Sequence, residues 1–305
     1  MTEVNSRLLI GKPRRIKAST ISAYMFLAPM FAVLLCLITY PIIDGIFTAF
    51  TNRAVAKPGT FIGLGNFYEL FANETFRRAV CNSLLFTVCA VGAKLVMALV
   101  AAVLLTQEFP FRNFIRALVL VPWAVPGLIG ALSWRWIYTE EGGILNYLLE
   151  RAGLIDEPVF WVSEASSATF AIILAMVWHG LPFFIMMFMA GMAAIPGDLY
   201  EAASIDGASA WRRFWSVTIP QLHDVIMITV MLSTIWTFNS FHMVFILTGG
   251  GPGNKTHIMP TLAYYFAIGR SQLGMGTAVM VSAIPAFLII IIMLTRKMLK
   301  SNDIS

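Results

Sequence analysis

IPGDLYEAASIDGASAWRRFWSVTIPQ, residues 195–221, lies between two long apolar runs, 167–194 and 225–247, and is too short to be a domain of its own. Pro196 and Gly197 break the incoming helix, and Asp198 with Glu201 three residues later has the form of a capping box, whose reciprocal bonds satisfy orphan N–H groups. The spacing predicts a short helix over 199–206, ended by Gly207 in the left-handed conformation. Ser209 is placed to cap a second short helix carrying Trp211, Arg212, Arg213, Phe214 and Trp215, and Pro220 precedes the next apolar run. The segment therefore reads as a helix-turn-helix knob between two membrane spans. An amphipathic helix lying on the membrane surface is the other object these residues alone allow.

The rest of the chain supplies the membrane. Of 305 residues 58% are hydrophobic and only 12% charged, half the roughly 25% of a soluble domain, and the mean hydropathy is +0.78. The fold class expected is an all-α integral membrane protein with six transmembrane helices, at about 20–48, 80–105, 115–138, 167–194, 225–247 and 276–295. Around this six-span region, 20–298, lie a tail of 1–19 and a tail of 299–305.

Charge sets the orientation. Arg7, Lys12, Arg14, Arg15 and Lys17 precede the first apolar run, and no small-residue cleavage pattern follows it, so a first span with a cytoplasmic N-terminus is expected rather than a removed signal peptide. With that end inside, cytoplasmic segments also hold Arg112, Arg116, Arg212, Arg213, Arg296, Lys297 and Lys300. Outer segments hold Arg53, Lys57, Arg77, Arg78, Arg151, Lys255 and Arg270, spread over much longer loops. The bias puts both termini and the 195–221 knob in the cytoplasm. The net charge of +5 is spent on orientation, and nothing reads as a nucleic-acid groove. Cys36, Cys81 and Cys89 fall in or beside apolar runs without metal-ligand spacing, which makes them packing residues.

Few residues carry chemistry. GGGPGNKT (249–256) would need Gly in place of Asn254 to match a phosphate-binding loop, and it has a proline and no βαβ context, so a turn capping span 5 is expected. Lys94 lies near the middle of span 2, where a lysine costs about 2.5–3.5 kcal/mol on insertion scales. It reads either as a proton relay, which would need an acidic partner that no span offers, or as a side chain that snorkels or bonds to a neighbouring helix. His179 and His242 each stand alone on their spans, so helix packing is expected of them and metal binding is not. Glu140, Glu141, Asp156, Glu157 and Glu164 are scattered in an outer loop without a partnered His or Cys, which leaves no catalytic constellation.

A translocation path needs polar and aromatic groups facing the bundle interior. Ser233, Trp236, Thr237 and Ser240 recur at steps of three, one and three in span 5, and Trp178, Gly180, Pro182 and Phe183 form an expected break in span 4 whose freed carbonyls would line a cavity. Ordinary interhelical packing by small and polar residues is the alternative for any one of them.

Glu201-Ala202-Ala203, Gly207 after three residues, then Val217, Ile219 and Pro220 resemble the EAA loop of ABC importer permeases, with Val and Ile where that family usually has Ile and Leu. DLYEAASIDGASAWRRFW, FIGLGNFYELF (61–71), VLVPWAVP (119–126), GGILNYLLERAGLI (142–155) and ILTGGGPGNKT (246–256) are similar to the carbohydrate-uptake, maltose-type branch. The resemblance implies that Glu201, Ala202, Ala203, Asp206, Gly207 and Ala208 form the coupling helix that docks on a cytoplasmic ATPase. It implies as partners a second homologous permease subunit, an ATPase dimer that binds ATP and Mg while this chain binds no cofactor, a solute-binding protein and a sugar-like substrate, in a bacterial inner membrane. It places the sugar on Trp178, Gly180, Phe183, Ser233, Trp236, Thr237 and Ser240, although Thr237 and Ser240 stand where asparagines are usual. The alternative class, an ion-gradient-driven secondary transporter, lacks an intramembrane carboxylate and an internal repeat.

Overall fold

The computed structural model describes residues 18–302 and divides into two units after Phe47. Arg7, Lys12, Arg14, Arg15 and Lys17 lie outside the described residues. The first unit is a helix, α1 (Ala18–Leu34), continued through a π-helical segment, Leu35–Thr39, into α2 (Tyr40–Thr48). Its apolar part, Tyr24–Thr48, has 25 residues. At a rise of about 1.5 Å per residue that reaches about 37 Å, enough for a hydrocarbon core of about 30 Å.

The second unit opens with α3 (Gly65–Ala72) and the long helix α4 (Glu74–Thr106). Asn73 caps α4, its side chain accepting from the N–H groups of Thr75 and Phe76 at 2.9 and 3.3 Å, and Glu74 adds negative charge in the first turn. Two helices follow, α5 (Arg112–Ala124) and α6 (Gly127–Ile137), which meet at 95°. The straight span expected over 115–138 is therefore a bent pair. The cause is local: Pro126 drives Val125 into extended backbone (φ −74, ψ 126), where a helix cannot continue.

Past α7 (Ile144–Arg151), α8 (Ala165–Ala193) runs without interruption through Pro182. The break expected at Trp178, Gly180, Pro182 and Phe183 does not form. Proline removes one ladder bond, but here packing on both sides of it holds the helix straight: Ala171, Ala175, Phe184 and Phe188 are buried in clusters that include Ala90 and Ala98 of α4. Small residues on α4 let the two axes approach closely.

The chain then makes α9 (Gly197–Ile205), α10 (Ala210–Arg213), a π-helical segment Phe214–Thr218, and α11 (Ile219–Gln221). A 67° bend at Leu222 leads to α12 (His223–Phe238), which stops at Asn239–Ser240 before α13 (Phe241–Leu247). The apolar run 225–247 is thus also two helices rather than one. The last elements are α14 (Met259–Tyr264), a π-helical segment Tyr265–Gly269, and α15 (Leu273–Asn302). Tyr24–Thr48, Glu74–Thr106 and Ala165–Ala193 are long and apolar enough to cross a membrane, and the two bent pairs raise the number to five.

Asparagine side chains tie segments together within the second unit. Asn66 donates to the carbonyls of Ala49 and Thr51 at 2.8 Å each, and Asn82 of α4 donates to the carbonyls of Lys255 and His257 at 2.8 and 2.9 Å. Asn146 gathers the loop around α7, donating to Glu140 and Val159 and accepting from Trp161 Nε1 at 2.7 Å. Among the described residues there is no strand beyond two isolated bridges, Thr51 with Phe61 and Ala54 with Lys57. Cys36, Cys81 and Cys89 are exposed in this chain rather than packed in a core.

Candidate solute cavity and coupling loop

A cavity of about 280 Å³ opens between the 95° bend of α5 and α6 and the break between α12 and α13. Trp123 and Gly127 flank the 95° bend on one side, and Asn239 and Ser240 form the junction of α12 and α13 on the other. Between them α8 contributes His179, Gly180 and Phe183, and α12 contributes Ser233, Trp236 and Thr237. Gly180, Phe183, Ser233, Trp236, Thr237 and Ser240, six of the seven residues expected on the solute path, therefore come together. The seventh, Trp178, does not line the cavity and packs edge-on against Trp134 with ring centroids 5.7 Å apart.

Lys94 of α4 crosses to this cavity. Its side chain passes α8 at Gly180, where a Cβ would come within 2.9 Å of Lys94 Cδ and 3.1 Å of Nζ. Nζ then donates to Ser233 Oγ at 2.9 Å and Thr237 Oγ1 at 2.8 Å, two hydroxyls one helical turn apart on α12. The lysine is 3% exposed, so it bonds to a neighbouring helix and does not snorkel. His179 serves packing in a similar way: its Nδ1 lies 3.0 Å from the carbonyl of Pro122, one of the orphan acceptors at the end of α5. The aromatic surface comes from Phe183 and Trp236, T-shaped with centroids 5.0 Å apart, and from Trp123.

The loop between α8 and α12 is built by its caps. Asp206 ends α9, Gly207 takes φ +75, and the N–H groups of Ala208 and Gly207 donate to Ala203 and Ser204 at 2.9 and 3.0 Å. That is a Schellman closure, which satisfies the last carbonyls and explains why Ala203, Gly207 and Ala208 occur together. Ser209 accepts from the N–H of Arg212 at 3.3 Å, starting α10 as expected. The capping box does not form. The helix begins at Gly197, so Asp198 sits inside the first turn, where it faces the helix dipole, and Glu201 stands on an exposed turn. Pro196 takes the N-cap position with non-helical backbone (φ −58, ψ 132) and has no side-chain acceptor to cap with.

Sequence reasoning missed the residues that lock the loop's two helices. Arg213 Nη1 donates to Ser204 Oγ at 2.7 Å, and the hydroxyls of Tyr200 and Thr218 are 2.9 Å apart. Their separations of nine and eighteen residues exceed the three- and four-residue reach of contacts along one helix, so only the turn at Gly207 brings them together. Glu201, Ala202 and Ile205 remain exposed on the far side, Ile205 at 87%. A second cavity, about 630 Å³, is lined by Val103 and Thr106 of α4, Met189 of α8, and Tyr200 and Phe214 of the loop. Arg116 closes its rim by donating from Nε to the carbonyl of Leu105 at 3.0 Å, a cation at a helix C-terminus.

GGGPGNKT caps α13. The Gly249 N–H donates to Phe245 at 2.9 Å, Thr248 and Thr256 hydroxyls meet at 2.8 Å, and Gly249, Gly250, Gly253 and Asn254 all have positive φ. No helix starts from it, since α14 begins at Met259, so no helix N-terminus is available to cradle a phosphate.

Comparison with known proteins places these features in one family. The model of the binding-protein-dependent transport system inner membrane component matches residues 94–301, which span the cavity and the loop. The trehalose/maltose transport system permease protein MalF of Thermococcus litoralis is 36% identical, with 84% of this chain and 86% of that protein covered. The diacetylchitobiose uptake system permease protein DasB of Streptomyces coelicolor is 30% identical, with 94% and 89% covered. A bacterial ABC transporter involved in the import of the acidic polysaccharide alginate shares the fold at a TM-score of 0.81, with 20% identity and 92% and 96% of the two chains covered.

Proposed function

The chain belongs to the binding-protein-dependent transport system inner membrane components, and from that premise we propose that it carries a sugar or sugar-like solute across the membrane. It is the permease subunit of an ABC importer and not the ATPase, and the importer class displaces the ion-driven transporter as a reading. The observation that carries the sugar is the cavity at the meeting of α8, α12 and α13. Aromatic faces of Trp123, Phe183 and Trp236 offer stacking surface, while Ser233, Thr237, Asn239 and Ser240 offer hydrogen bonds, the pairing that a ring with several hydroxyls needs. The names of the trehalose/maltose and diacetylchitobiose relatives support the same substrate class.

The mechanism follows from the loop. In this reading six spans cross the membrane, the sixth being the apolar start of α15, Leu273–Ile289, and both termini are cytoplasmic. The domain bounds 1–19, 20–298, 195–221 and 299–305 belong to the same reading. A second permease subunit would complete the path, a solute-binding protein would load it from outside, and an ATPase dimer holding ATP and Mg would clamp α9. Glu201, Ala202 and Ile205, exposed on α9, are the surface offered to that ATPase, and Asp206, Gly207 and Ala208 turn the chain away from it. Closing the ATPase dimer would then rock α8 and α12 through the two ends of the loop, so the nucleotide state selects which face of the cavity is open.

Uptake of labelled sugar into cells expressing the whole importer tests this. Uptake should stop on ATP depletion and survive an uncoupler while ATP is maintained; uptake that survives ATP depletion and collapses with the uncoupler would overturn it.

A further inference from the structure

We infer that the solute carries an acidic group, a carboxylate or an equivalent monoanion, and that Lys94 is the specificity-determining residue that meets its charge. This deepens the sugar reading and rests on it.

Three observations converge on the lysine. First, its amine is held in place and not merely present: Gly180 leaves room for the side chain to cross α8, and Ser233 and Thr237 fix the end by two short bonds. An ammonium has three donors, and these two hydroxyls use two. Lys94 lines the cavity, and its third N–H has no protein partner among the described residues.

Second, nothing nearby neutralises the charge. No carboxylate lies within ion-pair distance of Lys94 among the described residues; the ring of Phe184 is 5.7 Å away, and the one ionisable neighbour is His179, a base. Hydroxyl dipoles solvate a buried cation but leave its charge uncompensated, and a buried charge without a partner is costly. Structural lysines avoid this by snorkelling, which Lys94 does not do at 3% exposure.

Third, the wall carries no acid. The ionisable side chains lining the cavity are Lys94, His179 and His242, all basic, and no Asp or Glu lines it. A neutral sugar would find hydrogen bonds there but would leave the lysine unmatched. An acidic sugar gains a charge-assisted bond, roughly twice as strong as a neutral one.

The test uses the purified importer complex in nanodiscs without its binding protein, so that discrimination by the permease is read alone. Two matched pairs serve as probes, glucose with glucuronate and cellobiose with its uronic counterpart. Binding is followed by quenching of tryptophan fluorescence, since Trp123 and Trp236 line the cavity. The wild type should bind the acidic member of at least one pair about tenfold more tightly, Lys94→Arg should keep that preference, and Lys94→Met should reduce it below about twofold. Equal binding within the pairs by the wild type overturns the inference, with no variant needed, and so does a preference that Lys94→Met leaves intact. Binding of neutral sugars only removes the acidic group while the sugar reading stands; binding of none of the four overturns both.

Discussion

Lys94 and Gly180 stand 86 positions apart by number and touch in space, which is why neither could be understood alone. A lysine amid Val and Leu in α4 announces an exception, and its alternatives were a relay or a bond to another helix. The partners, Ser233 and Thr237, were visible as a face of α12, but which helix that face looked toward depends on packing that no local pattern encodes. His257 was missed altogether. It lies 2% exposed beneath Gly250, with Nδ1 3.1 Å from Thr261 Oγ1, and burial pushes its imidazole down from 6.5 to about 4. The sign is as follows: between pH 6.5 and about 4 the unfolded chain takes up a proton that the folded chain refuses, so stability falls as the pH drops through this window and levels off below it. The melting midpoint of the purified protein in detergent should therefore decline from pH 7 to pH 5, by an amount corresponding to a few kcal/mol at most. His257→Gln should flatten the decline, and an equal decline in that variant would assign it to other groups.

At the scale of elements, prolines show what could be read and what could not. Pro126 breaks its helix pair and Pro182 does not, yet both sit in apolar stretches. The difference is that Pro182 lies on a helix whose two halves are both buried against α4, so tertiary packing overrides the local cost. The loop after α8 was more legible, because its signals are short-range: a glycine at φ +75 and a serine cap act within four residues. Only the capping box failed there, since the helix starts at Gly197 and its N-cap position falls on Pro196. Glu201→Arg reverses charge on an exposed position and Gly207→Arg puts a side chain in a left-handed turn, at a folding cost of about 1 kcal/mol. Both variants should insert normally and lose most of their uptake, with ATP hydrolysis no longer responding to the loaded binding protein. Wild-type uptake by both would remove the loop from the mechanism.

For the molecule as a whole, composition and charge bias carried the membrane class, because burial in lipid constrains every residue of a span at once. The cavity was less accessible to such reasoning. It is assembled from α4, two helix breaks, α8 and α12, and the breaks at Val125 and Asn239 divide runs that read as single spans into two helices each. Trp178 packs edge-on against Trp134 outside the cavity lining, a contact between two helices that no local pattern encodes. The central claim is that this chain is one part of an ATP-driven machine and works through α9. Its most direct test is affinity purification of the tagged subunit in detergent, with mass spectrometry of what accompanies it and an ATPase assay of the eluate. A homologous membrane subunit and an active soluble ATPase should be recovered, and Glu201→Arg should lose the ATPase while keeping the membrane partner. A homogeneous complex with no ATPase, from the wild type, would contradict the account.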